Sequence, residues 1–279
     1  MRLLRFGEIG HEQPGVEIEG IKYDCSSDFK GWDRSFFVSD GLSRLQVKAA
    51  SHAWPEIPDG TRIGCPIPRP GMIMCVGLNY SDHAQESGMH APEEPILFMK
   101  ATNTLAGPYD DVTKPTNSTK MDWEVELGVV LSKDVYMLKD EAAAEDAIAG
   151  YCIVNDLSER AFQIESGGQW VKGKSCPGFS PVGPYLVTKD EIESVLDLDM
   201  SLDIDGVRMQ TGNTEKMIFS PSFVVHYISQ FMKLEAGDLI STGTPPGVGL
   251  GMDPPRFLNR GEKITLNIKG LGSQNQLVV

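Results

Sequence analysis

The sequence predicts a mostly β, mixed α+β fold, with a small N-terminal domain over residues 1–68 and a larger domain over residues 69–279. Two observations predict the larger domain. Short apolar runs typical of strands recur at irregular intervals from residue 72 onward, whereas only four stretches have the pattern of a helix. A parallel sheet built from βαβ units would need a helix after nearly every strand, so we expect strands of mixed direction.

The N-terminal domain is predicted from a change in composition near residue 68. It starts with two short strand-like stretches, "MRLLRFG" and "GVEIEGIKYDC", which are followed by a polar stretch. Residues 54–71 are then rich in proline and glycine, which interrupt regular structure. We therefore interpret residues 54–71 as a linker between the two domains.

The larger domain is predicted to contain seven strands and four helices. The helices are expected in "SDHAQESG", "KDEAAAEDAIAGY", "LSERAFQIES" and "SPSFVVHYISQFMKL". The strands are expected at residues 72–78, 124–131, 151–155, 184–188, 199–204, 238–241 and 263–268.

Composition and charge exclude several functional classes. A formal net charge of -14 argues against a nucleic-acid partner, because binding to phosphates needs a basic surface. No apolar run approaches the ~20 residues that span a bilayer, so no membrane partner is expected. The five cysteines are widely spread and form no C-x-x-C pair, which argues against both a disulfide framework and a zinc–thiolate site. We expect a reduced, cytoplasmic protein.

The stretch "MDWEVELGVVL", residues 121–131, concentrates negative charge on a predicted strand. Alternation places Asp122, Glu124 and Glu126 on one face, with apolar side chains on the other. Glu124 and Glu126 would lie roughly 6.5–7 Å apart at Cα. Carboxylates this close repel one another unless a cation neutralises them, and hard oxygen ligands suit Mg²⁺, Mn²⁺ or Ca²⁺. The alternative for this stretch alone is a solvated acidic face.

Three further segments carry candidate functional side chains. Asp156 follows a predicted strand, as either a turn residue or a third metal ligand. His83 and Glu86 are three residues apart on a predicted helix, so the carboxylate could orient the imidazole as a general base, or the two could form an ordinary surface pair. Lys172 and Lys174 lie in a loop rich in glycine, serine and proline, where they could be solvated or could stabilise an oxyanion.

Taken together and in order, six segments resemble the fumarylacetoacetate hydrolase superfamily over about residues 70–250. They are "GLNYSDHAQE", "PILFMKATNTLAGP", "DWEVELGVVL", "YCIVNDLSERAFQ", "KGKSCPGFSPVGP" and "GDLISTGTPPGVG". The resemblance implies a mixed β-roll catalytic domain, a homodimer, and a Mg²⁺ or Mn²⁺ ion at the active site. Two departures are visible. The apolar "CVGL" stands where the founding member has a fourth metal carboxylate, and Lys100 is followed by alanine rather than the usual proline.

The resemblance also implies roles for eight residues of this chain. Three would bind the metal, two would activate water, Lys174 would stabilise charge beside the substrate, and two would line the pocket. The metal ligands would be Glu124, Glu126 and Asp156. The pair that activates water would be His83 and Glu86, and the residues that line the pocket would be Gln163 and Thr244.

The subgroup that this sequence is most similar to cleaves 2,4-diketo-3-deoxy sugar acids and is often labelled ureidoglycolate lyase. The implied reaction is hydrolysis of a carbon–carbon bond in an acylpyruvate-type acid, a small 2-oxo or 2,4-diketo substrate, to pyruvate and a short acid such as lactate. Two alternatives remain open. One is decarboxylation or tautomerisation of oxaloacetate within the same family, and the other is a non-catalytic metal-binding β module.

Overall fold

A computed structural model describes residues 1–51, 53–82 and 90–279 of the chain. Its largest element is a ten-stranded sheet in the order β3-β2-β1-β13-β10-β9-β16-β5-β6, with β4 paired to β1. The paired strands are antiparallel except for β16 and β5, which are parallel. The bounds are Arg2–Phe6 (β1), Gln13–Ile18 (β2), Ile21–Asp24 (β3), Ile63–Gly64 (β4), Ile73–Gly77 (β5), Ile96–Lys100 (β6), Val125–Leu131 (β9), Ile148–Asn155 (β10), Leu186–Thr188 (β13) and Leu239–Ser241 (β16).

A second sheet has four antiparallel strands in the order β15-β14-β17-β18, and its strands β14 and β17 share a hydrophobic core with β9 of the first sheet. Two small sheets pair β8 with β11 and β7 with β12. These strands are Leu105–Ala106 (β7), Met121–Asp122 (β8), Ser158–Glu159 (β11), Ser180–Pro181 (β12), Asp199–Ile204 (β14), Val207–Asn213 (β15), Lys263–Ile268 (β17) and Gly272–Leu277 (β18). The mostly β, mixed fold predicted from the sequence is thereby confirmed.

The helices are short. In the described ranges, the α-helices are Arg34–Val38 (α1), Gly41–Ala49 (α2), Glu141–Asp146 (α3), Val171–Lys174 (α4) and Pro221–Ser229 (α5). Ala161–Glu165 forms a π-helical turn. Short 3₁₀ turns occupy Thr102–Thr104, Lys189–Glu191, Thr214–Lys216 and Gly249–Gly251. Within the same ranges, no helix has the length and apolar character needed to cross a membrane.

The central strands β9 and β10 are buried on both faces. Alternate residues of β9, among them Leu127 and Val129, pack into a core that includes β14, β17 and α5. Val130, the residue after Val129, points to the other face and packs into a second core with the aromatic side chains of Trp32 and Phe36 in the N-terminal segment. An acidic side chain on these strands therefore has little contact with bulk water.

The N-terminal segment joins the main sheet through β1, where Arg2 pairs with Val187 of β13. The indole nitrogen of Trp32 donates to the carbonyl of Leu4 at 2.7 Å, which fixes the segment before α1 to the same strand. Residues 1–68 and the rest of the chain thus share one sheet, while the division into two domains at residue 68 stays a prediction.

Three predicted helices are shorter in the structure. The stretch "SPSFVVHYISQFMKL" is helical over Pro221–Ser229, and "LSERAFQIES" forms strand β11 and the π-helical turn. The third case has an identifiable cause. Residues 139–151 were expected to be helical from their alanines, but α3 ends at Asp146 and β10 begins at Ile148. Gly150 shows the reason. A Cβ at this position would lie 2.2 Å from the carbonyl oxygen of Val187, so the close pairing of β10 and β13 requires glycine. Tertiary strand pairing overrides the local helical preference here.

Candidate active site

Three buried carboxylates meet where β9 begins and β10 ends. Because Asn155 pairs with Val125 in the antiparallel register, Glu124 and Asp156 become neighbours, and the amide of Asp156 donates to the carbonyl of Glu124 at 2.9 Å. Glu126 lies within β9 itself. One carboxylate oxygen from each of Glu124, Glu126 and Asp156 lies within 4.8 Å of the others. The structure therefore brings the three predicted metal ligands together.

The alternative interpretation of residues 121–131 as a solvated acidic face is wrong. Glu124 and Glu126 are 7% and 2% exposed, and Asp122 is fully buried. The predicted regular alternation is also interrupted, because Asp122 belongs to β8 and β9 starts only at Val125. The partners of these acids in the protein are cations, a hydroxyl group and backbone amides: Asp122 and Glu124 accept from Arg160, and Glu126 accepts from Ser241 and Gly243.

Lys174, at the end of α4, reaches into this cluster. Its ammonium nitrogen lies 2.6 Å from Oε2 of Glu124 and 2.6 Å from Oδ2 of Asp156. Burial alone would lower the pKa of Lys174, but the carboxylates of Asp156 and Glu124 outweigh burial and raise it. The side chain therefore remains an ammonium at neutral pH, as its predicted electrostatic role requires.

Arg160 is a site residue that the sequence analysis did not single out. Its Nη2 donates to Oε1 of Glu124 at 2.6 Å, its Nε to Oδ2 of Asp122 at 2.8 Å, and its Nη1 to Oε1 of Gln163 at 3.0 Å. The guanidinium thus joins a predicted metal ligand to a predicted pocket residue. The available signal was its spacing, three residues before Gln163 in the segment predicted as a helix.

Lys100 supplies a third buried cation. Its ammonium bonds to Oδ1 of Asp156 and donates to the carbonyls of Leu157 at 3.2 Å and Phe179 at 2.6 Å. Lys100 is 1% exposed, so it serves as a buried anchor for Asp156. A lysine before alanine rather than proline is accommodated at this position.

Glu126 is the carboxylate in the cluster that most favours an added cation. Its Oε2 accepts from the hydroxyl of Ser241 at 2.6 Å and from the amide of Gly243 at 2.9 Å. Burial, together with repulsion from Asp156 and Glu124, raises the pKa of Glu126 to about 8. Burial also opposes ionisation of Glu124, but Lys174 and Arg160 prevail and lower its pKa to about 2.

The donor set fits a divalent cation that prefers oxygen ligands. Four buried carboxylates (Glu124, Glu126, Asp156 and Asp122) face three buried cations (Lys100, Arg160 and Lys174), so the cluster keeps an excess of one negative charge when all are ionised. The triad contains carboxylate oxygens and neither sulfur nor imidazole, which suits Mg²⁺ or Mn²⁺ better than zinc.

A cavity of about 560 Å³ opens above these carboxylates. Glu124, Glu126 and Lys174 lie at its floor together with the predicted pocket residues Gln163 and Thr244. Thr244 is held in place by two hydrogen bonds, donating to the carbonyl of Val125 at 2.9 Å and accepting from the amide of Gln210 at 2.8 Å. The geometry therefore places five of the eight predicted residues on one cavity, with Asp156 in contact with Lys174 beside it.

The predicted dyad of His83 and Glu86 lies outside the described residues. Leu78, five residues before His83, lines the cavity. The roles assigned to His83 and Glu86 stay predictions.

Known proteins are similar to this chain along its whole length, including the residues of this site. Residues 72–279 match the family model for the C-terminal domain of fumarylacetoacetate (FAA) hydrolase. A Burkholderia multivorans protein, named provisionally and only as a hydrolase, is 46% identical over 282 residues, covering 99% of this chain and 98% of its own. A fumarylacetoacetate hydrolase from Exiguobacterium antarcticum is 31% identical with a TM-score of 0.87, covering 100% of this chain and 99% of its own.

A third match is the structure of maleylpyruvate hydrolase from Sphingobium sp. SYK-6 in complex with manganese(II) and pyruvate. It is 25% identical, has a TM-score of 0.83, and covers 100% of this chain and 99% of its own. The family model spans well over half of the chain, and the relatives align along nearly their full length. The chain therefore belongs to the fumarylacetoacetate hydrolase family.

Proposed function

We propose that this protein is a metal-dependent hydrolase that cleaves the carbon–carbon bond of an acylpyruvate, a 2,4-diketo acid, to pyruvate and a carboxylic acid. The observation that carries the proposal is the buried triad of Glu124, Glu126 and Asp156, with Lys174 beside it, at the floor of a cavity. The Mn²⁺ and pyruvate bound to the maleylpyruvate hydrolase neighbour support both the metal and the product.

The triad would hold Mg²⁺ or Mn²⁺, which supplies Lewis acidity toward the 2-oxo acid end of the substrate. The remaining chemistry belongs to side chains of the protein. Lys174 is charged and lies at the cavity floor, where its ammonium would stabilise negative charge that develops on a substrate oxygen. It needs no reorganisation to do so, because two carboxylates already fix its position.

Arg160 would set the orientation of Gln163. Because Oε1 of Gln163 accepts from Arg160, the side-chain NH₂ is the group that Gln163 presents to a ligand in the cavity. The same guanidinium holds Glu124, so one rigid side chain fixes a metal ligand and a substrate donor relative to each other. Preorganised donors of this kind lower the cost of reaching the transition state.

Cleavage of the carbon–carbon bond by water needs a general base, and that role is given to His83. We propose that His83, oriented by Glu86, takes a proton from water as the water oxygen bonds to C4 of the substrate. The C3–C4 bond then breaks, its electron pair stays on C3, and protonation of C3 yields pyruvate. C4 becomes the carboxyl carbon of the second product. This sequence needs no oxidant or reductant.

The experiment is a pyruvate-release assay over acetylpyruvate, longer 2,4-diketo acids, a 2,4-diketo-3-deoxy sugar acid and oxaloacetate, with and without Mg²⁺ or Mn²⁺. We expect metal-dependent release from the 2,4-diketo acids. Pyruvate release from oxaloacetate alone would instead support decarboxylation, because that reaction does not require water to attack C4. Tautomerisation releases no pyruvate and would appear only as a change in the enol absorbance of oxaloacetate. Metal binding with no turnover on any 2-oxo acid would support a non-catalytic module.

His83→Ala tests the proposed base. It should lose most turnover while still binding metal, since His83 is not one of the carboxylate ligands. His11→Ala is the matched control, because His11 is an exposed histidine of the N-terminal segment. Pyruvate release near the parental rate in His83→Ala would show that the assigned base is wrong.

A further inference from the structure

One wall of the cavity extends outward from the carboxylates along strand β6. Alternate residues of a strand share a face, so Lys100, Phe98 and Ile96 follow one another on the same side. Lys100 is buried against Asp156, whereas Phe98 and Ile96 line the cavity. The strand rise places Ile96 about 13 Å from Lys100 at Cα. The wall therefore begins at a charged anchor and continues outward as apolar surface.

Trp170 widens this apolar surface. Its ring meets that of Phe98 edge to face, with centroids 5.1 Å apart. Trp170 also lies against Gly77 of β5, where a Cβ would approach the ring to 3.2 Å. Glycine at residue 77 therefore leaves room for the indole to lie against the strand and to line the cavity.

The rim of the cavity also carries large apolar side chains that are unusually exposed. Ile164 is 51% exposed, Ile96 41%, Leu250 39% and Trp170 36%, and all four line this one cavity. Single exposed apolar residues are common on protein surfaces, but several that converge on one opening mark a binding site.

The charged side chains lining the cavity are confined to its floor. Among the described lining residues the cations are Arg160 and Lys174, and both already bind carboxylates. The chain between Arg69 and Lys100, which supplies β5 and β6, contains four acidic residues and neither lysine nor arginine. The described outer wall thus offers no cationic partner for a second carboxylate of a ligand.

Polar side chains are equally sparse on that wall. In the described part of the lining they are Glu124, Glu126, Arg160, Gln163, Lys174 and Thr244, to which Trp170 adds one indole N–H donor. Each of the six lies at the floor or bonds to a residue there, and the hydroxyl of Thr244 is used twice within the protein. A ligand with several hydroxyl groups would lose bonds to water along the described outer wall, where the indole N–H of Trp170 could replace only one of them.

We propose that the outer cavity binds an apolar acyl chain, so that the preferred substrate is an acylpyruvate with an alkyl or aryl group on C4. This inference rests on the proposed function and names its substrate class. Polyhydroxylated sugar acids and substrates with a second carboxylate are the disfavoured classes.

The wall can be tested without relying on turnover, by using 2-oxo acids that lack the 4-carbonyl and so cannot undergo this cleavage. Calorimetric titration of the Mg²⁺-loaded protein with 2-oxobutanoate, 2-oxohexanoate and 2-oxooctanoate should show affinity rising roughly two- to fourfold per methylene. 2-Oxohexanoate should bind at least about tenfold more tightly than 2-oxoglutarate, which carries a second carboxylate. It should also bind at least about tenfold more tightly than a 2-oxo-3-deoxyhexonate, which has the same six-carbon chain but carries hydroxyl groups. A flat series, or tighter binding of either polar ligand, would overturn the proposal.

Two variants on strand β6 test whether the dependence of affinity on chain length comes from the apolar wall. Ile96 and Met99 are 41% and 45% exposed on β6, but only Ile96 lines the cavity. Ile96→Ser should reduce the affinity ratio of 2-oxooctanoate to 2-oxobutanoate about fivefold, because it removes apolar contact with the chain. Met99→Ser should leave that ratio unchanged. Equal effects of the two variants would contradict the assignment of the wall.

Turnover separates this inference from the proposed function. If the binding trend holds but no 2,4-diketo acid yields pyruvate, the apolar wall stands and the hydrolase proposal fails. If acetylpyruvate or a sugar acid is cleaved most efficiently and the binding series is flat, the hydrolase proposal stands and the wall assignment fails.

Discussion

Asp122→Asn should destabilise the protein strongly although it preserves shape and volume. The Asp122 carboxylate is fully buried and accepts four hydrogen bonds. Oδ1 accepts from the amides of Trp123 at 2.9 Å and Gly249 at 2.7 Å. Oδ2 accepts from the amide of Leu250 at 3.0 Å and from Nε of Arg160 at 2.8 Å. Every one of these partners is a donor, so the site requires an acceptor at both oxygens.

The size of the effect follows from the two bonds that asparagine cannot make. If its oxygen stays on the side of Trp123 and Gly249, its NH₂ faces Leu250 and Arg160, donor against donor. Losing the charge-assisted bond to Arg160 costs about 1.5–3 kcal/mol, and losing the bond to the Leu250 amide costs about 1 kcal/mol. We therefore expect the free energy of unfolding to fall by about 3 kcal/mol.

Urea denaturation of parent and variant, with the same m-value, measures this difference. Asp140→Asn is the control. Asp140 is the exposed N-cap of α3 and accepts from the amide of Ala143 at 2.8 Å, and asparagine caps helices as well as aspartate does. If Asp122→Asn were as stable as Asp140→Asn, the four-bond account of Asp122 would be refuted.

Three further predictions concern metal, packing and pH. Removing the metal with a chelator should lower the melting temperature, and Mg²⁺ at 100 times its Kd should restore about 2.7 kcal/mol, a gain that Glu126→Gln should largely lose. Gly150→Ala should cost about 1–3 kcal/mol or more in urea denaturation, because its Cβ would meet a β13 carbonyl at 2.2 Å. Gly31→Ala should cost little, because the described residues place no atom within 4 Å of its added Cβ beyond its immediate neighbours in the chain. A hydrogen bond from Arg34 lowers the pKa of Asp134 to about 2. The stability that this shift provides should therefore be fully present above about pH 4 and lost as pH falls through about 2, so a stability difference between parent and Asp134→Asn that is unchanged from pH 5 to pH 2 would contradict it.

The carboxylate triad was predictable from the sequence because its members are local features. Glu124 and Glu126 share a short acidic stretch, and Asp156 ends a recognisable apolar strand. Antiparallel pairing of those two strands is enough to bring the three together. The cations were harder to predict, since Arg160 and Lys174 are 36 and 50 residues from Glu124 in sequence, and Lys100 is 56 from Asp156.

Burial was the other feature that sequence alone did not determine. Residues 121–131 alternate as a half-exposed strand would, yet two separate cores cover β9. The covering elements include α1 and α2, which lie in a segment that the sequence predicts only as a polar stretch. The domain boundary at residue 68, the homodimer and the roles of His83 and Glu86 stay predictions.

Burial of β9 also explains why the site can combine a charged floor with an apolar wall. In a solvated cleft, water would screen the carboxylates and weaken their attraction for a metal ion. Here both faces of the strand are covered, so the four carboxylates are compensated mainly by the three buried cations of the cluster. A divalent ion would offset the charge that remains and relieve the repulsion felt by Glu126. A substrate with its only negative charge at the 2-oxo acid end would place that end on the floor and leave uncharged atoms against Phe98 and Trp170. A second carboxylate would have to be desolvated beside those rings without a cationic partner on the described part of the wall, so the same burial that favours metal binding would disfavour a dicarboxylate.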